Sequence, residues 1–283
     1  MQGLQTLINQ IEKGRNIHIS VHDLCGALHS PSTMLEFKSR IHSKRFCDVA
    51  KSTEAGFRMC LECKKAANEK ASGEKSPFCG HCVYGLFEAA VPVIVKDSAI
   101  AVVYVGNAII DESRTESRLT LACERSGADE NELKKELENC ERIDSAEELQ
   151  AVGEIVSDYL IMLYNNTPKN SSEFHWLVAV MKSHAEDTHT RQVSLKELGE
   201  VYQKNEKYLG RLFKKEMGMS FDKYCMDIKM KKAENILLNQ NDKIIDVALE
   251  CGFNSISYFN RSFAKRYGMT PSQYRQNKGN IKP

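Results

Sequence analysis

The sequence contains no apolar run near the roughly 20 residues that a membrane-spanning helix needs, which excludes a helical membrane protein. Its opening, MQGLQTLINQIEKGRN, lacks the basic start, apolar middle and small-residue cleavage site of a secretory signal. Both absences set the expectation of a cytoplasmic chain. Thiols stay reduced there, so the ten cysteines do not imply a disulfide framework. A nucleophile well placed beside a base is also missing. Cys82 next to His81 is the local candidate, and adjacent strand residues point to opposite faces. Net charge is small too, at +1, but this hides a split. From Arg191 onward, 18 Lys and Arg face 10 Asp and Glu, a net of +8; residues 1–190 hold 21 against 28, a net of −7. A basic domain joined to an acidic one is the footprint of a nucleic-acid binder with a separate second function. Two solvated faces of opposite sign give the same count.

At 283 residues the chain has room for two ordinary domains, and 42% hydrophobic with 27% charged residues suits a soluble protein. The polar, proline-containing stretch Asn165-Asn166-Thr167-Pro168-Lys169-Asn170-Ser171-Ser172 reads as the boundary. The expected division is 1–165, a linker over 166–173, and a helical domain over 174–277. Before the boundary, Met1–Gly14 forms an amphipathic pattern, and Ile17, Ile19 and Val21 alternate with polar residues as in a strand. A helix is expected over 53–72. Phe87–Val95 and Ala99–Asn107 are β-branched runs joined by Lys96-Asp97-Ser98, a hairpin pattern. Helices are expected over 115–127, 129–140 and 145–164. The last is a candidate dimer seam, or a helix packed on its own domain. Beyond the boundary every segment reads as helix: 173–187, 194–202, 206–217, 221–239, 243–250, 255–266 and 271–276.

An internal repeat at an offset of 50 residues dominates the C-terminal third. Tyr208-Leu209-Gly210-Arg211-Leu212-Phe213-Lys214-Lys215-Glu216-Met217-Gly218-Met219-Ser220 matches Tyr258-Phe259-Asn260-Arg261-Ser262-Phe263-Ala264-Lys265-Arg266-Tyr267-Gly268-Met269-Thr270, and Tyr224 answers Tyr274. Each copy has the parts of a helix-turn-helix: a short helix, a tight polar turn and a second helix that glycine stops. Asn205, and Asn254 or Ser255, are the candidate caps. The second helices bury Leu209, Leu212 and Phe213, or Phe259 and Phe263. They expose Lys207, Arg211 and Lys214, or Ser257, Asn260, Arg261 and Lys265. Arg, Asn and Ser can bond base edges in a major groove, while lysines and helix N-termini hold phosphates. Joined by a continuous helix near 222–238, the two units are expected to enter groove segments roughly 34 Å apart. A plain helical bundle is the bland alternative.

The same residues carry a resemblance. S-L-K-E-L at 194–198, Y-L-G-R-L-F-K-K at 208–215, G-F at 252–253, S-Y-F at 257–259 and G-M-T-P-S-Q-Y-R at 268–275 resemble the AraC/XylS-type regulator domain over about 174–277. That resemblance implies an all-α domain of seven helices, promoter binding and usually activation. By motif position it points to Lys207, Gly210 and Arg211 in the first unit. In the second it points to Ser255, Ile256, Ser257, Asn260 and Arg261. Gly210 stands where many relatives carry a polar side chain, which implies that the first helix reads fewer bases.

Five of the ten cysteines lie between Cys47 and Cys82. Cys60-Leu61-Glu62-Cys63 and Cys79-Gly80-His81-Cys82 form C-x2-C, fifteen residues, C-x2-C, a spacing suited to a tetrahedral thiolate site with Cys47 and His81 in reserve. Zinc would be structural there; an iron–sulfur cluster or a thiol–disulfide pair would sense redox state. Buried structural thiols are the alternative. Phe46-Cys47, Ser52-Thr53-Glu54-Ala55-Gly56, Cys60, Cys82-Val83-Tyr84-Gly85-Leu86, Ala90-Val91-Pro92-Val93 and Gly106 are similar to the PocR sensory domain over about 4–165. This resemblance implies an α+β, PAS-like fold, an antiparallel sheet with flanking helices. It also implies a site for small molecules such as diols or simple hydrocarbon derivatives, lined or supported by Cys47, Cys60 and Cys82. Val83 and Tyr84 depart from the usual Cys-His-Ala-Gly-Leu, which argues against a ligand contact by that histidine. The extra Cys63 and Cys79 favour a metal or redox variation.

The expectation is therefore a DNA-binding transcription regulator, an activator by resemblance, acting on promoter DNA with RNA polymerase and a small-molecule effector as partners. Homodimerisation is expected because paired half-sites raise specificity. The competing classes are a thiol- or metal-dependent enzyme fused to a DNA-binding domain, and a basic protein-interaction module.

Overall fold

A computed structural model describes residues 3–28, 30, 32–166, 175–186, 194–202, 204–240 and 242–279. Apart from Asn166, the expected linker lies outside these residues. By proximity the chain forms two compact units, one of Met1–Leu177 with Glu197–Lys204, the other of Val178–Lys196 with Asn205–Pro283. Among the described residues no helix is long and apolar enough to cross a membrane.

The first unit is built on a sheet in the order β1-β4-β3-β2. The strands are β1 (His18–Asp23), β2 (Phe78–His81), β3 (Phe87–Val95) and β4 (Ser98–Ile109), all antiparallel to their neighbours. A two-residue strand β5 (Glu141–Arg142) adds in parallel to the end of β4. The expected hairpin is β3–β4. Its turn residues Lys96 and Asp97 have φ of 48° and 65°, the left-handed pair that matches the twist of a two-residue hairpin loop. Pro92 lies in β3 beyond Ala90, the last residue that β2 pairs, so its missing N–H falls where β3 has become an edge on that side.

The two faces of the sheet differ because strand side chains alternate. One face carries Ile19, Val21, Phe87, Ala89, Val91, Val93, Val103 and Val105. It packs with α1 (Leu4–Glu12) and α6 (Ala146–Asn166) into the main core. Helix α6 buries Leu149, Gly153, Val156, Leu160 and Leu163, one stripe at helical spacing. Gly153 is required by close approach: a Cβ there would stand 2.6 Å from Val91 Cγ2. The other face carries His18, Ser20, His22, Glu88 and Tyr104 and is covered by α3 (Glu54–Glu74), which Thr53 caps by accepting a bond from Gly56 N–H.

A second core joins α2 (Arg45–Ala50), α4 (Glu112–Ser126) and α5 (Glu130–Glu136) around Phe46, Tyr84, Leu86, Leu119 and Leu133. Tyr84, one of the departures from the sensory-domain pattern, is a core residue whose hydroxyl donates to the Ala50 carbonyl at 2.8 Å.

Among the described residues seven helices follow: α7 (Trp176–Glu186), α8 (Leu195–Val201), α9 (Glu206–Met217), α10 (Phe221–Asn239), α11 (Ile244–Glu250), α12 (Ile256–Tyr267) and α13 (Pro271–Gly279). The second unit's core gathers Met230, Ala233, Leu237, Val247, Phe253, Phe259, Phe263 and Tyr274. The sequence repeat is a packing repeat. Ring centroids of Phe213 and Tyr224 lie 5.4 Å apart, and those of Phe263 and Tyr274 also 5.4 Å. The expected architecture, an antiparallel sheet with flanking helices followed by an all-helical part, is the one observed.

Candidate functional site

Helices α9 and α12 start and stop alike. Asn205 Oδ1 accepts from Lys207 N–H at 2.9 Å, and Ser255 Oγ accepts from Tyr258 N–H at 3.3 Å. Gly218 and Gly268 end the helices at φ of 69° and 74°, where an L side chain is strained. Leu209 and Phe213 are fully buried in one helix, Phe259 and Phe263 in the other. The opposite faces expose Lys207, Arg211 and Lys214, and Ser257, Arg261 and Lys265. None of these five cations is held in an ion pair among the described residues.

Several site residues sit differently from a simple exposed face. The Asn205 and Ser255 side chains are engaged as caps, so their acceptors serve the backbone first. Asn254 is exposed ahead of the cap and makes no capping bond. Asn260, expected to be exposed, is half-buried, and its Oδ1 has no hydrogen-bond partner among the described residues. Ile256 is exposed and Gly210 half-buried. Sequence reasoning missed two positioning lysines. Lys229 Nζ donates to the Gly252 carbonyl at 3.0 Å and Lys232 Nζ to the Glu250 carbonyl at 2.8 Å, fastening the α11–α12 turn to α10. Burial lowers the Lys229 pKa.

The first unit's polar sheet face forms a second site. Lys64 of α3 donates to Glu88 of β3, with both side chains almost wholly buried. Its ammonium lies 4.2 Å from the centroid of the Tyr104 ring. Tyr104 OH donates to Asn68 Oδ1 at 2.7 Å. His42 Nδ1 stands 3.7 Å from Glu88 Oε2. Burial first, then the nearby Lys64, His22, His18 and Lys51, holds the His42 pKa well below the ordinary histidine value, so the ring is neutral. His42 Nε2 and Ser20 Oγ are buried without hydrogen-bond partners among the described residues.

A family model described as the sensory domain found in PocR matches residues 1–166, more than half of the chain. The chain belongs to the PocR sensory-domain family. A second model, described as a helix-turn-helix domain, matches residues 198–277, giving the AraC-type part. The chain is 30% identical over 115 residues, 40% of its length and 36% of the other's, to the uncharacterized HTH-type transcriptional regulator YfiF of Bacillus subtilis. It is 38% identical over 71 residues, 25% of its length and 24% of the other's, to the HTH-type transcriptional activator RhaR of Yersinia pseudotuberculosis. It therefore spans only about a third and a quarter of these relatives. Among solved structures, the C-terminal domain of the response regulator yesN from Fusobacterium nucleatum matches at 32% identity. That match covers 35% of this chain and 93% of that one, with a TM-score of 0.31.

Within the PocR domain the cysteines do not assemble as their spacing suggested. Cys79 points to the apolar face, packs in the main core and lies 3.9 Å from the Ala146 carbonyl. Cys82, three residues on, has crossed to the opposite face, where its electrostatic neighbours are Glu88, Lys64, Cys63 and Cys47. The second pair is thus divided between two cores, and the four-thiolate site over Cys60, Cys63, Cys79 and Cys82 is not formed among the described residues. Among the described residues no group of three or more His, Cys, Asp or Glu side chains is placed to hold a metal ion, so the reserve ligands Cys47 and His81 do not complete one. His81 stacks edge-on to Phe87 near Arg114 and Arg118, away from the neighbours of Cys82, so the two form no nucleophile–base pair.

Cys47, Cys60 and Cys82 gather near Lys64 and Glu88. Each is half-buried, and burial is the first cause of the shift in its titration. Burial pushes the Cys47 thiol up to about 12 from the usual 9.0, and raises those of Cys60 and Cys82. Only the thiolate is nucleophilic, so at pH 7.5 Cys47 should be alkylated by iodoacetamide about 1,000-fold more slowly than an ordinary thiol, on the thiolate fraction alone. Its rate should rise about tenfold per pH unit up to pH 11. Peptide-resolved mass spectrometry checks this; labelling at an ordinary rate at pH 7.5 would contradict it.

Proposed function

We propose that this protein is a sequence-specific DNA-binding transcription regulator whose PocR domain responds to a small molecule. The carrying observation is the duplication. Two helices 50 residues apart share caps, glycine stops and buried aromatics, and both turn unpaired cations outward. A helix with that profile fits the major groove, lysines fixing register on phosphates and Arg or Ser bonding base edges. The helix-turn-helix family match and the regulators named among its relatives favour this reading over an enzyme. The name of the RhaR relative favours activation, which would involve RNA polymerase at the promoter. The effector reading is supported by the buried polar face around Lys64, Glu88 and His42 and the three thiols beside it. A homodimer would raise specificity on paired half-sites.

Footprinting with duplexes from the chain's own genomic neighbourhood tests the proposal. Protection of about two helical turns per monomer is expected, with affinity falling steeply as salt rises. Salt-insensitive or sequence-indifferent binding would reject it.

A further inference from the structure

The two recognition helices differ at one place. Along α9, Gly210 leaves an open groove of about 550 Å³ lined by Leu195, Glu206, Lys207, Gly210, Arg211 and Lys214. At the matching position of α12 stands Asn260, and the partner of Leu195 is the exposed Ile245. At Gly210 itself the groove meets no hydrogen-bonding side chain: Gly210 has none, and the heavy atom nearest to where its Cβ would lie is a methyl carbon of Leu195, at 3.3 Å. Lys207, Arg211 and Lys214 bring three cations to its lining against the one carboxylate of Glu206, and long cationic side chains can lay apolar stems along such a groove with their charges in water. Cations in the lining suit phosphates, and the apolar spot at Gly210 suits an apolar group on a base edge. Thymine's 5-methyl is the one such group in the major groove.

We propose that the first helix-turn-helix reads thymine through this groove, the 5-methyl group seating against Gly210 and Leu195 while Lys207 and Lys214 hold the flanking phosphates. This rests on the DNA-binding reading and adds a division of labour. The second unit discriminates by hydrogen bonds from Ser257, Asn260 and Arg261, the first by apolar contact. Gly210 is then a specificity residue, whose lack of a side chain opens the space that the methyl group occupies.

The test uses the full chain and a duplex selected by it from a random-sequence pool. Each thymidine is replaced in turn by deoxyuridine, which removes only the methyl group. One or two positions should bind about fourfold more weakly, the equivalent of one buried methyl group. The penalty should disappear in Gly210→Asn, whose side chain fills the groove, while the salt dependence of binding stays unchanged. An added Cβ at Gly210 meets only the flexible end of Leu195, so the variant should fold. If its melting shows otherwise, Leu195→Ala carries the same test by removing the apolar wall. Tolerance of uracil at every position, or a uracil penalty unchanged in the folded variant, overturns the proposal. Failure to select any duplex would instead reject the DNA-binding reading itself.

Discussion

Arg261→Ala is expected to lower affinity for the selected site by about 1–3 kcal/mol, a five- to 150-fold loss, and to relax sequence preference at one base pair. Arg261 lies six residues beyond the Ser255 cap of α12, exposed and without an ion-pair partner among the described residues. A guanidinium in that position can reach O6 and N7 of guanine together, which a lysine cannot imitate as a fork. Arg261→Lys should therefore recover the salt dependence but not the base preference. Lys207→Ala is the control. It should weaken binding about equally on all sequences and reduce the salt slope by about one. Competition binding over a panel of singly substituted duplexes separates the two behaviours. Arg261→Ala weakening every duplex equally would make Arg261 a phosphate contact and move base reading to Ser257 and Asn260.

How far the sequence revealed this interface depended on repetition. Offset identity marked α9 and α12, and Asn205, Ser255, Gly218 and Gly268 marked their ends, because caps and left-handed stops are local chemistry. The expected spans of α9 and α10 coincide with the observed ones. Short elements escaped. Helix α2 has six residues, β2 four and β5 two, too few for any period to emerge, and β5 exists only because it pairs with Ala108 and Ile109. The four-cysteine reading failed for a related reason. Spacing along the chain reports chelation only where the chain curls around a metal, and here Cys79 sits within β2 and packs in the main core while Cys82 follows the strand's end beside Glu88 and Lys64. Alternation at Ile17, Ile19 and Val21 marked a strand, and the strand observed there, β1, has an apolar and a polar face. It said nothing of α3 lying across the polar one, since Lys64 and Glu88 are 24 residues apart and meet only through the fold.

That meeting gives the largest stability effect. Lys64→Met should lower the free energy of unfolding of the PocR domain by about 3–5 kcal/mol, because it strands a buried carboxylate. The Glu88 side chain is 12% exposed, and its other ion-pair neighbour among the described residues, His42, is held neutral, so neither offsets the loss. Glu88→Leu should cost a similar amount by stranding the ammonium, which also loses the carboxylate that keeps its pKa raised. The double variant Lys64→Met/Glu88→Leu should return close to wild type or exceed it, since an apolar pair of similar volume carries no desolvation cost. Urea unfolding of the full chain, read on the transition that moves in the single variants, supplies the cycle. Single-variant losses below about 1 kcal/mol would mean that water reaches the pair and that its geometry contributes little. If the double variant is stable but its DNA binding no longer responds to effector, the ion pair is present for sensing rather than for holding the sheet to α3.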